Sequence, residues 1–304
     1  MISSRHGRIF LGLGLVLTIG NLPARAAAAR PALPTGVKRM ANLEYSRPSS
    51  GALLLDLYVP ATTSTAPLPV VIWIHGGGWK NGSKENCPLS WLAAEGYAVV
   101  SLGYRLSGLA KWPAQLEDAR AAVRWLRAEA EKYQLDPTRI AVSGGSSGGN
   151  LATIFAATTP PADEKISSRV GAVIDFYGAS DMLTMPTNVP GPGKTAADLA
   201  NSNGAKLLGV TPRDRPDLAR QTSPLYHVSK DDPPFLIIHG DQDTQVPLEQ
   251  SQRLHAALVA AGVPSELIVL PGAGHGGPAF STPEIKQSIR AFLNRSLNAP
   301  GKVK

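Results

Sequence analysis

Short, nearly continuous apolar runs recur along this chain, separated by longer segments whose apolar residues step by three and four. The runs are Val70-Val-Ile-Trp-Ile74, Ala98-Val-Val-Ser101, Arg139-Ile-Ala-Val142, Ala172-Val-Ile-Asp-Phe-Tyr177, Phe235-Leu-Ile-Ile238 and Leu267-Ile-Val-Leu270. They are rich in β-branched residues and do not alternate with polar ones, which predicts strands covered on both faces. Within 113–133, Leu116, Ala119, Val123, Leu126, Ala130 and Tyr133 make one helical stripe, and Pro113 suits a first turn. Residues 248–261 repeat that stripe with Leu254, Ala257, Leu258 and Ala261, and Gly262 suits the position just past a helix end. A last helix opens with the capping-box pattern Ser281-Thr-Pro-Glu284 and buries Ile285, Ile289 and Phe292. Strands alternating with helices predict an α/β fold with a mainly parallel, doubly wound sheet. Ahead of them, Leu43–Ser46 and Leu53–Val59, joined through Arg47-Pro-Ser-Ser-Gly51, predict an antiparallel N-terminal hairpin at one edge.

One segment breaks the rhythm. Residues 179–225 are rich in Pro, Gly, Asn and Thr and only weakly periodic, between two clear strands. Connections this long are uncommon in a compact domain and are usually functional or mobile. The expectation is an insertion over the C-terminal ends of the strands, where open α/β sheets bind ligands. The plainer alternative is a loose surface excursion. Neither an internal repeat nor a second core is apparent.

With 304 residues the chain can bury one large core. Its beginning reads differently from the rest. Arg5 and Arg8 precede an apolar stretch from Ile9 to Ile19, and the small-residue run Ala24-Arg-Ala26-Ala-Ala-Ala follows. That is a secretory signal pattern, which predicts a signal peptide over 1–26, with a linker over 27–39 and a tail over 298–304 on either side of one main domain over 40–297. A secreted or periplasmic protein is expected. The apolar stretch is short for a bilayer span, so no stable membrane span is expected after cleavage. Removing 1–26 takes away Arg5, Arg8 and Arg25 and no acid, so the net charge falls from +7 to +4. The remaining basic residues are dispersed and lack interleaved aromatics, which argues against nucleic-acid binding. Cys87 is the only cysteine, so no internal disulfide and no multi-cysteine metal site can form.

The chemistry concentrates in three glycine-rich stretches. Gly144-Gly-Ser-Ser-Gly-Gly149 follows the run ending at Val142, and a serine between glycines after a buried strand is the pattern of a nucleophile elbow. Two frames fit G-x-S-x-G, one centred on Ser146 and flanked by Gly144 and Gly148, the other centred on Ser147. His75-Gly-Gly-Gly-Trp79 follows another strand and offers bare backbone N–H groups, as an oxyanion hole requires. A serine nucleophile needs a base, which in the order Ser–Asp–His follows it in the chain. His255 falls inside a helix, His227 in a polar stretch, and His239 ends a strand. His275, in Pro271-Gly-Ala-Gly-His-Gly-Gly-Pro278, is favoured. His75 is expected to brace the glycine loop. For the acid, Asp241, Asp243 and Asp181 all follow strands, and spacing favours Asp243 modestly.

The stretches Asp56-Leu-Tyr-Val-Pro60, His75–Trp79, Gly144–Gly149, Ser229-Lys-Asp-Asp-Pro-Pro234, His239–Pro247 and Gly272–His275 resemble the α/β-hydrolase superfamily. Within it the chain looks like the hormone-sensitive-lipase-like esterases, nearest to bifunctional feruloyl/acetyl-xylan esterase-like domains. Gly103-Tyr-Arg105 is a partial match, since relatives read Asn-Tyr-Arg. The resemblance implies one α/β-hydrolase domain over roughly 40–297. It also implies roles. Ser146 would be the nucleophile, Asp243 the acid and His275 the base. The N–H groups of Gly77, Gly78 and Ser147 would form the oxyanion hole. Ser147 stands where relatives carry alanine.

These readings together imply a serine carboxylic-ester hydrolase that needs no metal or organic cofactor. Its substrate would be a small-molecule or polysaccharide-linked ester, with acetyl or feruloyl groups of plant polysaccharide as the candidates. Two alternatives use the same residues: a prolyl-oligopeptidase-like peptidase or amidase, suggested by His239–Pro247, and a non-catalytic binding protein on the same fold. The segment 179–225 has no strongly apolar lid stretch, which disfavours an interfacial lipase.

Overall fold

Successive side chains of an extended strand point to opposite faces, so an uninterrupted apolar run is stable only where both faces are covered. The computed structural model describes Met1, residues 32–62 and residues 66–297. The signal-peptide reading of 1–26 therefore lies outside the described residues, apart from Met1. Contacts divide the chain at Arg30, and the fold below belongs to the unit beginning at Pro31. Eight strands make one sheet: β1 (Val37–Ser46), β2 (Leu53–Pro60), β3 (Leu68–Ile74), β4 (Ala98–Leu102), β5 (Leu135–Gly145), β6 (Ala172–Phe176), β7 (Phe235–Gly240) and β8 (Ser265–Leu270). Their order is β1-β2-β4-β3-β5-β6-β7-β8. Only β2 runs against its neighbours; β3 to β8 are parallel. The predicted hairpin is thus present at one edge. It begins three residues inside the segment read as linker, because Val37 already pairs with Pro60.

The alternation sorts the core into two layers. Val70, Ile72, Ile74, Val142 and Ile237 face α1 (Ala114–Ala128), α3 (Ser147–Ala157) and α7 (Leu248–Ala260). Val71, Trp73, Ala141, Leu236 and Ile238 face α8 (Pro283–Leu297) and the turn carrying Leu89 and Leu92. The opposite edge strand β8 departs from expectation. Its residues are half-buried or exposed: Leu267 packs on one layer and Ile268 and Leu270 on the other, while Val269 is exposed, so the strand is only partly covered. The stripe over 113–133 breaks at Glu129, leaving a short α2 (Ala130–Tyr133). The cap of α8 also moves by one residue. Thr282 Oγ1 accepts from Ile285 N at 3.4 Å, whereas Ser281 Oγ donates to Pro278 O and closes the preceding turn. Pro283 explains this: proline fits the first helical position, where its missing N–H costs nothing, so the cap falls on the residue before it.

The segment 179–225 is not a loose excursion. It carries α4 (Ala196–Ala200), α5 (Asn203–Leu208) and α6 (Pro216–Gln221), and it buries a core of its own. Met182, Met185, Leu207, Leu208 and Ala219 cluster there with Trp79 and Val246, contrary to the expectation of no second core. Trp79 follows β3 and Val246 follows β7, so the insertion packs at the C-terminal ends of the strands. Asn150 on α3 pins both ends, donating to Ala179 O at 2.7 Å and to Thr222 O at 2.9 Å.

Candidate active site

Strand β5 delivers the chain into a turn at Ser146, whose backbone takes φ 57° and ψ −120°. A residue with a Cβ is strained there, and such strain persists only where the surroundings over-determine it. Ser146 N donates to Phe176 O at 2.8 Å, and Asn150 N donates to Ser146 O at 2.9 Å. The flanking glycines answer a steric need. A methyl on Gly148 would collide with Ile74 O and lie 2.6 Å from His75 O, and one on Gly144 would collide with Gly148 O. The structure separates the two serines. Ser146 occupies the turn, and Ser147 is the first residue of α3, its hydroxyl buried without a hydrogen-bond partner among the described residues.

Ser146 Oγ lies 2.8 Å from His275 Nε2, and His275 Nδ1 lies 2.6 Å from Asp243 Oδ2. Because a carboxylate can only accept, Nδ1 carries the proton and Nε2 is left to accept from the serine. Asp243 is held on its other side by the N–H groups of Gln245 (2.8 Å) and Val246 (2.9 Å), both on Oδ1. Its side chain is 0% exposed. Burial works to raise this carboxyl, yet hydrogen bonds from His239, His275, Val246 and Gln245 outweigh it and hold the group below the usual carboxylate range. The rival acids are occupied elsewhere. Asp241 accepts from Gly272 N, joining the loops after β7 and β8. Asp181 pairs with Arg253 at 3.0 Å. Of the other histidines, His255 bonds Ser265 Oγ and His227 bonds Arg220 O.

The glycine loop lies against this turn. A methyl on Gly76 would stand 2.7 Å from Gly145 O and 3.3 Å from Ser146 Cβ. Gly77 and Gly78 take φ 117° and 62°, which favour glycine, and Gly77 O accepts from Lys80 N and Asn81 N. The N–H groups of Gly77 and Gly78 make no hydrogen bond among the described residues. Ser147 N–H, at the first position of a helix, has no carbonyl a turn earlier to bond. His75 braces the loop as expected: its ring stacks on Tyr104 at 4.4 Å, and Tyr104 OH donates to its carbonyl at 3.1 Å. Burial lowers the His75 imidazole, partly opposed by the bond to Gly76 O.

Two residues at this site escaped sequence reasoning. His239 is wholly buried beneath Asp243: Nε2 lies 2.8 Å from Val246 O and 3.2 Å from Asp243 Oδ2, and Nδ1 lies 2.6 Å from Ser251 Oγ. Tyr177 takes φ 46°, and its ring centroid is 4.7 Å from that of His275. A signal existed for each, since both end strands at the edge where ligands bind. Among the described residues no group of three His, Cys, Asp or Glu side chains could hold a metal ion. No helix among them is long and apolar enough to cross a membrane.

A mainly parallel sheet of eight strands, with a serine on a strained strand-to-helix turn and its partners on the loops after β7 and β8, defines the α/β-hydrolase fold. The BD-FAE family model matches residues 55–258, and the chain belongs to that family. It is 32% identical over 257 residues to Esterase LipC of Mycobacterium tuberculosis, across 80% of this chain. The chain spans less than two thirds of three of the curated relatives it matches: 62% of LipC, 48% of LipM and 58% of LipQ. Among solved structures, a truncated carbohydrate esterase from gut microbiota is similar, with TM-score 0.75 and 32% identity over 89% of this chain and 100% of that one. An acetyl ester-xyloside bifunctional hydrolase from Caldicellulosiruptor lactoaceticus gives TM-score 0.68 and 28% identity, over 82% of this chain and 90% of that one.

Proposed function

We propose that this chain is an exported serine carboxylic-ester hydrolase that works through an acyl-enzyme. The observation that carries the reading is the continuous hydrogen-bonded line from Ser146 Oγ through His275 to Asp243. In that scheme His275 Nε2 takes the Ser146 proton as Oγ attacks the ester carbonyl. The N–H groups of Gly77, Gly78 and Ser147 receive the tetrahedral oxyanion, and Asp243 orients and stabilises the imidazolium. His275 then protonates the departing alcohol, and a water molecule repeats the sequence to release the acid. Every proton passes through His275: from Ser146 to the departing alcohol in the first half, and from water back to Ser146 in the second.

The substrates we assign are small acyl or aryl esters, with acetyl or feruloyl groups on plant polysaccharide foremost. The carbohydrate and acetyl ester-xyloside hydrolases among the similar structures support that choice. Export is supported by the signal pattern over 1–26 and is tested by the N-terminal residue of protein recovered outside the cytoplasm. The activity test compares wild type, Ser146→Ala and Ser147→Ala on p-nitrophenyl acetate, a longer-chain ester, methyl ferulate and acetylated xylan. An aminoacyl p-nitroanilide is added for the peptidase alternative raised by His239–Pro247. Ser146→Ala is expected to lose about 10⁶ in kcat, and Ser147→Ala to stay active. A wild type that turns over no ester sinks the reading, and an active Ser146→Ala with a dead Ser147→Ala moves the nucleophile.

A further inference from the structure

Asn203 is the first residue of α5, in the insertion, and its carboxamide lies directly on the glycine loop. A methyl built on Gly78 would collide with Asn203 Nδ2 and stand 2.7 Å from Cγ and 3.1 Å from Oδ1. The side chain is half-buried and makes no hydrogen bond among the described residues. A carboxamide offers two N–H donors and two acceptor lone pairs. Beside Gly78, it is an unspent polar group against the loop whose N–H groups are assigned to the oxyanion hole.

The helix that carries the carboxamide is held by its surroundings. Ser202 Oγ caps α5, accepting from Ala205 N at 3.1 Å. Gly204 packs so tightly on the buried Asn188 that a methyl there would lie 2.6 Å from Asn188 Oδ1, which fixes the start of the helix. Farther along, Leu207 O accepts from Trp112 N at 3.1 Å, and Lys206 O accepts from Lys111 Nζ at 2.9 Å. Leu207 and Leu208 pack with Trp79, the residue after Gly78. Trp79 O in turn accepts from Ser107 N at 2.8 Å. The helix carrying Asn203 and the loop carrying Gly77 and Gly78 are therefore parts of one packed unit.

We propose that Asn203 is a specificity residue, hydrogen-bonding a hydroxyl that neighbours the scissile ester on a polyhydroxy alcohol such as a sugar. The inference rests on the ester-hydrolase reading above and deepens it. A hydroxyl both donates and accepts, so it matches a carboxamide on both counts. An acyl carbonyl can accept from the carboxamide but is common to every ester, so it gives no preference; a simple alkyl alcohol adds no further partner, while a sugar carries a hydroxyl beside nearly every acylated oxygen.

The test pairs two esters with three proteins. The esters are a monoacetylated methyl xyloside and its analogue in which the neighbouring hydroxyls are replaced by hydrogen. The proteins are wild type, Asn203→Ala, and Asn203→Leu, which keeps the volume against Gly78. We expect wild type to prefer the hydroxylated ester about five- to tenfold in kcat/KM, the worth of one neutral hydrogen bond. Both variants are expected to lose that preference, whatever they do to turnover as a whole. Thermal melting of each variant shows whether it folds, and the leucine variant serves if alanine loosens the insertion. An unchanged preference in a folded variant overturns the proposal, as does a wild type that prefers neither ester. A wild type inactive on both these esters and p-nitrophenyl acetate overturns the underlying reading instead.

Discussion

Replacing Asp243 by asparagine changes one atom and tests the whole site, because every direction around that carboxylate is already taken by a donor. Oδ1 receives the N–H groups of Gln245 and Val246, and Oδ2 receives His275 and His239. The amide NH₂ must therefore face donors whichever way it turns. Facing Oδ1's partners, it meets two backbone N–H groups at 2.8 and 2.9 Å that cannot change role. Facing Oδ2's partners, it meets His239 Nε2 at 3.2 Å and His275 Nδ1, which can give up its proton. The second orientation leaves one weak clash instead of two strong ones, so it wins. Its stability cost is that of one imperfectly satisfied buried group, about 1–3 kcal/mol. The catalytic cost is larger. With Nδ1 now accepting, the imidazole proton moves to Nε2, where it blocks transfer from Ser146. The corresponding change in a serine protease costs about 10⁴ in kcat, and the same order is expected here. The assay is kcat on p-nitrophenyl acetate at pH 8, with a chemical-denaturation curve on the same preparation. A folded Asp243→Asn within about tenfold of wild type would refute the tautomer argument and the assignment of Asp243 with it.

Three further outcomes follow from the same geometry. His239→Leu leaves Val246 O and Ser251 Oγ without their partner in a buried site, so unfolding free energy should fall by roughly 2–4 kcal/mol. A loss below 1 kcal/mol would show that this histidine is not holding the loop after β7. Gly148→Ala forces a methyl onto Ile74 O and His75 O, both backbone, and should cost about 3 kcal/mol or prevent folding; a soluble variant with wild-type melting temperature contradicts the close crossing of α3 over β3. Burial pushes the Asp175 carboxyl up to about 6, against the opposing effects of His239 and the Gly178 N–H. The folded state then binds the proton more tightly than the unfolded state, whose value is near 3.9, so this group's contribution is lost as pH rises from about 4 to about 6. Asp175→Asn should flatten the melting temperature across that window and raise it at pH 7, and an unaltered pH slope would exclude the mechanism.

Much of the site was legible because its demands on the backbone leave marks in the sequence. A turn crossing a strand at close range needs glycines at 144 and 148, and a loop with positive φ needs them at 77 and 78, so those positions announce themselves. His275 and Asp243 could be found because chain order and strand spacing limit the choices. The serine frame could not be settled by spacing alone, because both serines satisfy it. What distinguishes them is that one residue must take the strained turn and the next must start a helix. His239 was passed over for a related reason. Its importance comes from Asp243, Val246 and Ser251 converging on it, and convergence across a loop has no periodic signature. The cap of α8 was misplaced by one residue because two hydroxyl residues stand together and only Pro283 decides between them.

The insertion shows where local pattern fails most completely. Its helices are five or six residues long, too short for a stripe to emerge, and too short to persist in water without tertiary support. That support comes from Trp79, which a sequence reading assigns to the glycine loop and the fold hands to the insertion's core. The consequence is a division of labour. The Ser146–His275–Asp243 line rests on strand ends and on backbone N–H groups that the insertion does not supply. The outer face of Gly78, by contrast, is shaped by Asn203 and by the packing behind it. Changes within 179–225 should therefore move selectivity among esters far more than the chemistry of bond cleavage. The glycine loop joins the two, because Gly76 lies against Gly145 and Ser146 while Gly78 lies against Asn203.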